Sequence, residues 1–217
     1  MATATDILVM LLLLTNLRLL GSSRMAAYIQ TVALQAIILG LIPLAVSLDR
    51  LTLELVALSL VTMAVKGLLL PWLLRRAVRE TSMQREIEPF VGFTLSVVIG
   101  SALLGLCFVI SAPLRASLSA TEPWAGLLIP GAMFTILTGL FIIVARRKAL
   151  TQVLGYLTME NGVYAFGAAL AVEEPLLVEM GVLLDVLVGV FVMGIAIYHI
   201  NREFEHIDTD RLSALKD

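Results

Sequence analysis

The chain has 217 residues, 59% hydrophobic and 15% charged, with a mean hydropathy of +0.98. A soluble domain is nearer half apolar with about a quarter of its residues charged, so the composition indicates an integral membrane protein. A net charge of −2 gives no basis for nucleic-acid binding. Cys107, the single cysteine, excludes an intrachain disulfide framework and a cysteine-rich metal or cluster site.

The N-terminus lacks a basic n-region and carries Asp6 before its apolar run. The first segment is therefore expected to stay as an anchor. A helix needs about 20 apolar residues to cross a hydrocarbon core. Seven stretches qualify: 4–21, 27–48, 51–74, 90–112, 124–145, 151–172 and 176–200. Asn16 and Arg18 make the first the least apolar in its last turns. The runs are continuous, without the period-two alternation of a barrel strand. The expected fold is an all-α membrane bundle of seven transmembrane helices.

Basic residues cluster in alternate connections. Arg18 and Arg24 follow span 1; Arg75, Arg76, Arg79 and Arg85 follow span 3; Arg146, Arg147 and Lys148 follow span 5. Arg202, Arg211 and Lys216 lie in the tail. The other connections hold Arg50 and Arg115 beside acids such as Asp49, Glu122, Glu173 and Glu174. The positive-inside rule then places the N-terminus outside and the C-terminus in the cytoplasm. The chain divides into a four-helix part (1–112), a three-helix part (113–200) and a cytoplasmic tail (201–217). SAPLRASLSATEPW between the two parts has the Pro, Ser and Ala content of a connection. RRAVRETSMQREIEP, 75–89, reads as a polar cytoplasmic loop, either a docking surface or a solvated linker.

Ionisable side chains inside a membrane cost roughly 2.5–3.5 kcal/mol on insertion scales and usually face the bundle interior. Lys66 in span 3, Glu160 in span 6 and Asp185 in span 7 are of this kind. Glu160 and Asp185 each lie nine residues into their spans, roughly 14 Å deep at the helical rise. Lys66 sits near the level of Glu160. Burial and a neighbouring opposite charge move a carboxyl's proton affinity in opposite directions, so such groups can exchange protons near neutral pH where water reaches them. These three are the candidate proton-relay residues. Secondary candidates are Asn161, able to hydrogen-bond between helices, and Glu54 and Glu179, close enough to the outer span ends to reach the interface. The competing reading of Lys66 with Glu160 or Asp185 is an ion pair that locks helices together. The glycines of spans 6 and 7 read as close-packing surfaces. No phosphate-binding loop, metal-spaced His pair or soluble catalytic domain is present, so the chain by itself is not expected to perform covalent chemistry.

ARRKALTQVLGYLTMENGVYAFGAAL followed by EEPLLVEMGVLLDVLVGVFVMGI resembles the small three-helix complex I subunit NuoK and its antiporter relative MrpC. Gly155, Met159 and Asn161 match a G-x-x-x-M-x-N helix; Glu174 and Pro175 match an acidic hairpin; Asp185, Val186 and Gly189 match the following acid-bearing helix. In NuoK the first membrane glutamate falls at Leu157, whereas here Glu160 stands about one turn later on the same face. That shift, the run from Val65 to Leu73, the MENG of Met159 to Gly162 and the four extra helices resemble the hydrogenase-4 component E (HyfE) family. The resemblance implies a cofactor-free membrane subunit of a formate hydrogenlyase-type, energy-converting hydrogenase in a bacterial or archaeal cytoplasmic membrane. Its neighbours would be antiporter-like and anchor subunits. The [NiFe] centre and iron–sulfur clusters would belong to those partners. Open alternatives are a cation/proton antiporter subunit, a complex I-like dehydrogenase subunit, a purely structural scaffold and a stand-alone transporter.

Overall fold

The computed structural model describes residues 2–46, 52–80, 87, 89–118 and 125–170. It is all-helical there: α1 (Ala2–Gly21), α2 (Met25–Val46), α3 (Leu53–Thr62), a π-helical segment (Met63–Leu69), α4 (Leu70–Glu80), α5 (Phe93–Ile110), α6 (Ala112–Leu118), α7 (Ala125–Ala145) and α8 (Ala149–Leu170). Among the described residues five stretches are long and apolar enough to cross a membrane: Ala4–Gly21, Met25–Val46, Leu55–Arg76, Phe93–Ile110 and Gly126–Ala145. They coincide with the first five predicted spans. The sixth predicted span is α8, equally long at 22 residues, with Gln152, Thr158, Glu160 and Asn161 diluting its apolar character. The seventh span, the tail and the residues Glu179 and Asp185 lie outside the described residues.

Two sequence boundaries move. The helix of span 3 does not stop at residue 74 but continues as α4 to Glu80, so Arg75 and Arg76 are helical rather than loop residues. Arg75 Nε donates to Pro71 O, one turn back, at 3.2 Å. Residues read as a plain connection after span 4 form the short helix α6, entered through a turn at Ser111. Ser and Ala content marked a connection, but Ala is also the best helix former.

Among the described residues the interior is built around α1, α2, α7 and α8. α2 packs against α1, α8, α3 and the π segment; α7 packs against α8, α1 and α5. The tightest seam, between α7 and α8, is made by glycine. A methyl added at Gly162 would stand 3.0 Å from Ala132 O, and one at Gly155 3.0 Å from Gly139 O and Ile143 N. Small residues let membrane helices approach at backbone distance, and this is the close-packing use predicted for Gly155 and Gly162. One apolar cluster joins Leu19, Tyr28, Phe134, Ile142 and Leu154; a second joins Val9, Leu12, Leu39, Ile129 and Ala165. Cys107 is buried, in keeping with an inert core residue.

The seam fixes which way α8 faces. Gly155 and Gly162, seven residues apart, both look at α7. Glu160 precedes Gly162 by two residues, about 200° around the helix, so it looks away from α7.

Candidate functional site, a buried ion pair and polar layer

Lys66 and Glu160 meet. Lys66 Nζ donates to Glu160 Oε1 at 2.7 Å, with side-chain exposures of 8% and 4%. The pair joins the π segment to α8 across 94 residues of sequence. Lys66 Nζ also lies 5.9 Å from the centre of the Tyr164 ring. Tyr164 follows Glu160 by one turn on the same helix face, so the ammonium is held between a carboxylate and an aromatic face.

The backbone at Lys66 is unusual. Leu70 N–H bonds to Val65 O, five residues back. Pro71 follows directly and supplies no N–H to the next turn. π turns of this kind are frequent at functional positions. Gly67 gives the segment its closeness to α2: an added methyl would stand 3.1 Å from Ile37 Cγ1.

Asn161 is buried at 2% exposure, and its Nδ2 has no hydrogen-bond partner among the described residues. The interhelical bond predicted for this amide is absent there. Glu54 stands in the first turn of α3, twelve residues from Lys66, or about 18 Å along the helix axis. Among the described residues no three His, Cys, Asp or Glu side chains gather to hold a metal ion.

At the same height lies a neutral polar cluster. Gln35 Nε2 donates to Asn16 Oδ1 at 2.8 Å and to Thr15 Oγ1 at 3.1 Å. Asn16 Nδ2 donates to Thr135 Oγ1 at 2.7 Å, and Thr135 donates to Gly131 O at 2.8 Å. Packing sets the height. Gly67, beside Lys66, rests on Ala33 and Ile37, which bracket Gln35; Gly162, beside Asn161, rests on Ile136, beside Thr135. Asn16, Gln35, Lys66, Thr135, Glu160 and Asn161 therefore occupy one layer of the bundle.

Arg146 forms a separate buried feature. It is fully enclosed at the C-terminal end of α7. Its guanidinium donates to Val91 O (2.8 Å), Leu20 O (3.2 Å), Ser96 Oγ (3.3 Å) and Tyr28 Oη (3.4 Å). The Phe93 ring centre is 5.1 Å away. These partners are neutral. Among these partners Leu20 O belongs to the last turn of α1, whose unbonded carbonyls carry partial negative charge and favour a cation there. Phe90 N–H to Ala145 O (2.9 Å) and Ile87 N–H to Ser23 O (3.0 Å) tie the preceding loop to the same place. Arg146 is thus a bracket joining α1, α2, α5 and α7, not the exposed loop cation its sequence position predicts. Arg18, by contrast, is exposed.

Sequence reasoning missed Gln35, Tyr164 and Arg146 as contributors, and treated Asn16 only as a flaw in span 1. Gln35 had a signal, being a lone amide in an apolar run. Tyr164 had one too, at i+4 from Glu160. Arg146 had none, since it sits in a uniform Arg-Arg-Lys run.

Comparison with known proteins bears on the same helices. Residues 127–217 match the family described as NADH-ubiquinone/plastoquinone oxidoreductase chain 4L. An uncharacterised protein of Mycobacterium tuberculosis is 33% identical over 95% of this chain and 93% of its own. Hydrogenase-4 component E of Escherichia coli K12 is 31% identical over 70% of this chain and 68% of its own; the Shigella flexneri protein of that name matches equally. The chain belongs to the hydrogenase-4 component E family. No solved structure matches it. Within this family assignment, the ion pair falls in both parts of the chain. Glu160 lies inside the segment matching chain 4L, and Lys66 lies in the N-terminal helices outside it.

Proposed function

We propose that the chain is a membrane subunit of a complex I-like, energy-converting hydrogenase, and that its buried ionisable residues take part in proton or sodium translocation coupled to electron transfer. The Lys66–Glu160 pair carries this reading. A charged pair at mid-helix depth is costly unless used or compensated, and here it joins the chain 4L-like segment to the extra helices. Glu160 and Asp185 serve as protonatable stations, and Lys66 holds or releases the charge of Glu160. Asn161 supports them; Glu54 and Glu179 sit toward the outer ends of their spans. The redox centres, [NiFe] and iron–sulfur, belong to partner subunits, and the partners in the membrane are antiporter-like and anchor subunits. Seven spans, with the N-terminus outside and the C-terminus in the cytoplasm, suit this placement in a bacterial or archaeal inner membrane. The division into a four-helix part and a chain 4L-like part is part of the same reading.

The match to chain 4L favours a complex I-like dehydrogenase as the second reading. Mass spectrometry of the chain gently extracted from its native membrane separates the two. Co-purifying hydrogenase large subunits support the first, and dehydrogenase subunits support the second. Recovery without any redox subunit overturns both. Glu160→Gln and Asp185→Asn, each in the assembled complex, test the relay. Normal assembly with full ion pumping in both variants rejects it.

A further inference from the structure

The polar cluster beside the ion pair has a direction. Gln35 donates to Asn16, Asn16 donates to Thr135, and Thr135 donates to the Gly131 carbonyl. Thr15 likewise spends its hydroxyl proton on Leu12 O at 2.6 Å. Every donor in this chain points away from Gln35. Its open end is Gln35 Oε1, an acceptor on a fully enclosed residue with no partner among the described residues. A buried acceptor left unsatisfied costs roughly 1–3 kcal/mol.

The complementary donor lies in the same layer. Asn161 Nδ2 is buried and has no partner among the described residues. Its bearing follows from its neighbours on α8. Gly162 faces α7, Glu160 reaches the π segment, and Val163 is exposed. The direction left to Asn161 lies between α7 and the π segment, on the side of α2, against which α8 packs. An acceptor on α2 and a donor on α8 match the two sides of a water molecule, which needs at least two polar partners to be held in an interior.

We propose that Gln35 Oε1 and Asn161 Nδ2 hold buried water between α2 and α8. This water extends the Gln35–Asn16–Thr135 chain toward α8, in the layer that also holds the Lys66–Glu160 pair. Both of the site's amide partners are neutral, so it competes with neither charge of the neighbouring pair. Its service to ion movement rests on the proposed role of Glu160; its occupancy does not.

The test uses the intact complex in lipid nanodiscs. A cryo-EM map resolving solvent should show density within hydrogen-bond distance of both Gln35 Oε1 and Asn161 Nδ2. A direct amide-to-amide contact, or a dry apolar closure, overturns the proposal. Gln35→Met keeps the side-chain length and removes the acceptor, together with the two bonds that Nε2 donates to Asn16 and Thr15. It should leave the Lys66–Glu160 contact intact, abolish the density and lower proton pumping several-fold. Glu160→Gln is measured alongside. If Glu160→Gln abolishes pumping while Gln35→Met changes neither density nor pumping, the water site is wrong and the relay stands. If Glu160→Gln pumps fully while the water density is present, the relay fails and the site stands as a structural water.

Discussion

Replacing Lys66 and Glu160 singly and together separates a helix lock from a working pair. At 2.7 Å and an effective dielectric constant near 20, the Coulomb attraction is about 6 kcal/mol. Most of that offsets the loss of hydration of two ions that are 8% and 4% exposed. Removing one partner leaves the other charge buried, at a cost of about 3–5 kcal/mol. Lys66→Met and Glu160→Leu should each lower the unfolding midpoint, by roughly 10 °C for a chain of this size. The double variant removes both charges, and apolar replacement of a buried pair is commonly neutral or stabilising. It should therefore recover the midpoint of the parent. Thermal scanning of the detergent-solubilised complex by size-exclusion chromatography reads this cycle. Proton uptake into inverted membrane vesicles, driven by the complex's own redox reaction, reads function. The expected outcome is recovered stability with lost pumping. Single variants as stable as the parent would refute the burial argument. A double variant that is both stable and fully pumping would refute the relay and leave a helix lock.

Other outcomes follow from the same geometry. Arg146→Met strips four donated bonds from carbonyls and hydroxyls that are buried or partly buried; at about 1.5–3 kcal/mol for bonds to a charged group, the assembled yield should collapse, and Arg146→Lys should restore little of it because a lysine cannot span the same fork. Gly162→Leu should force α8 off α7 and break the Lys66–Glu160 contact from a distance, read as loss of pumping and of a disulfide engineered between α7 and α8. With Cys107 replaced, a membrane-impermeant thiol reagent should label Ser82→Cys from the cytoplasmic side and Thr121→Cys from the outside; the opposite pattern would overturn the proposed orientation. Gln35→Met, by contrast with Arg146→Met, should leave assembly near normal.

Much about this protein is written in composition and order alone. Five membrane-length apolar helices among the described residues follow from continuous apolar runs, because a bilayer core accepts only chain segments whose backbone groups bond internally. Glu160 and Lys66 stand out without coordinates, since a charge in such a run has no cheap explanation. The MENG and NuoK-like motifs already pointed to the family. What sequence could not settle was direction around each helix and neighbours across the bundle. The spacing of Lys66 and Glu160 gave a shared height, but a membrane layer holds many helix faces. The glycine seam of α7 and α8 and the π turn before Pro71 chose the two faces that meet. The same tertiary decision drew Asn16, Gln35 and Thr135 into one polar chain, although they come from three helices. It also buried Arg146, which sequence places in one connection with Lys148 and the exposed Arg147. Local pattern registers a charge at a helix end; only the packing of four helices there supplies the carbonyls, hydroxyls and ring that let that charge be enclosed.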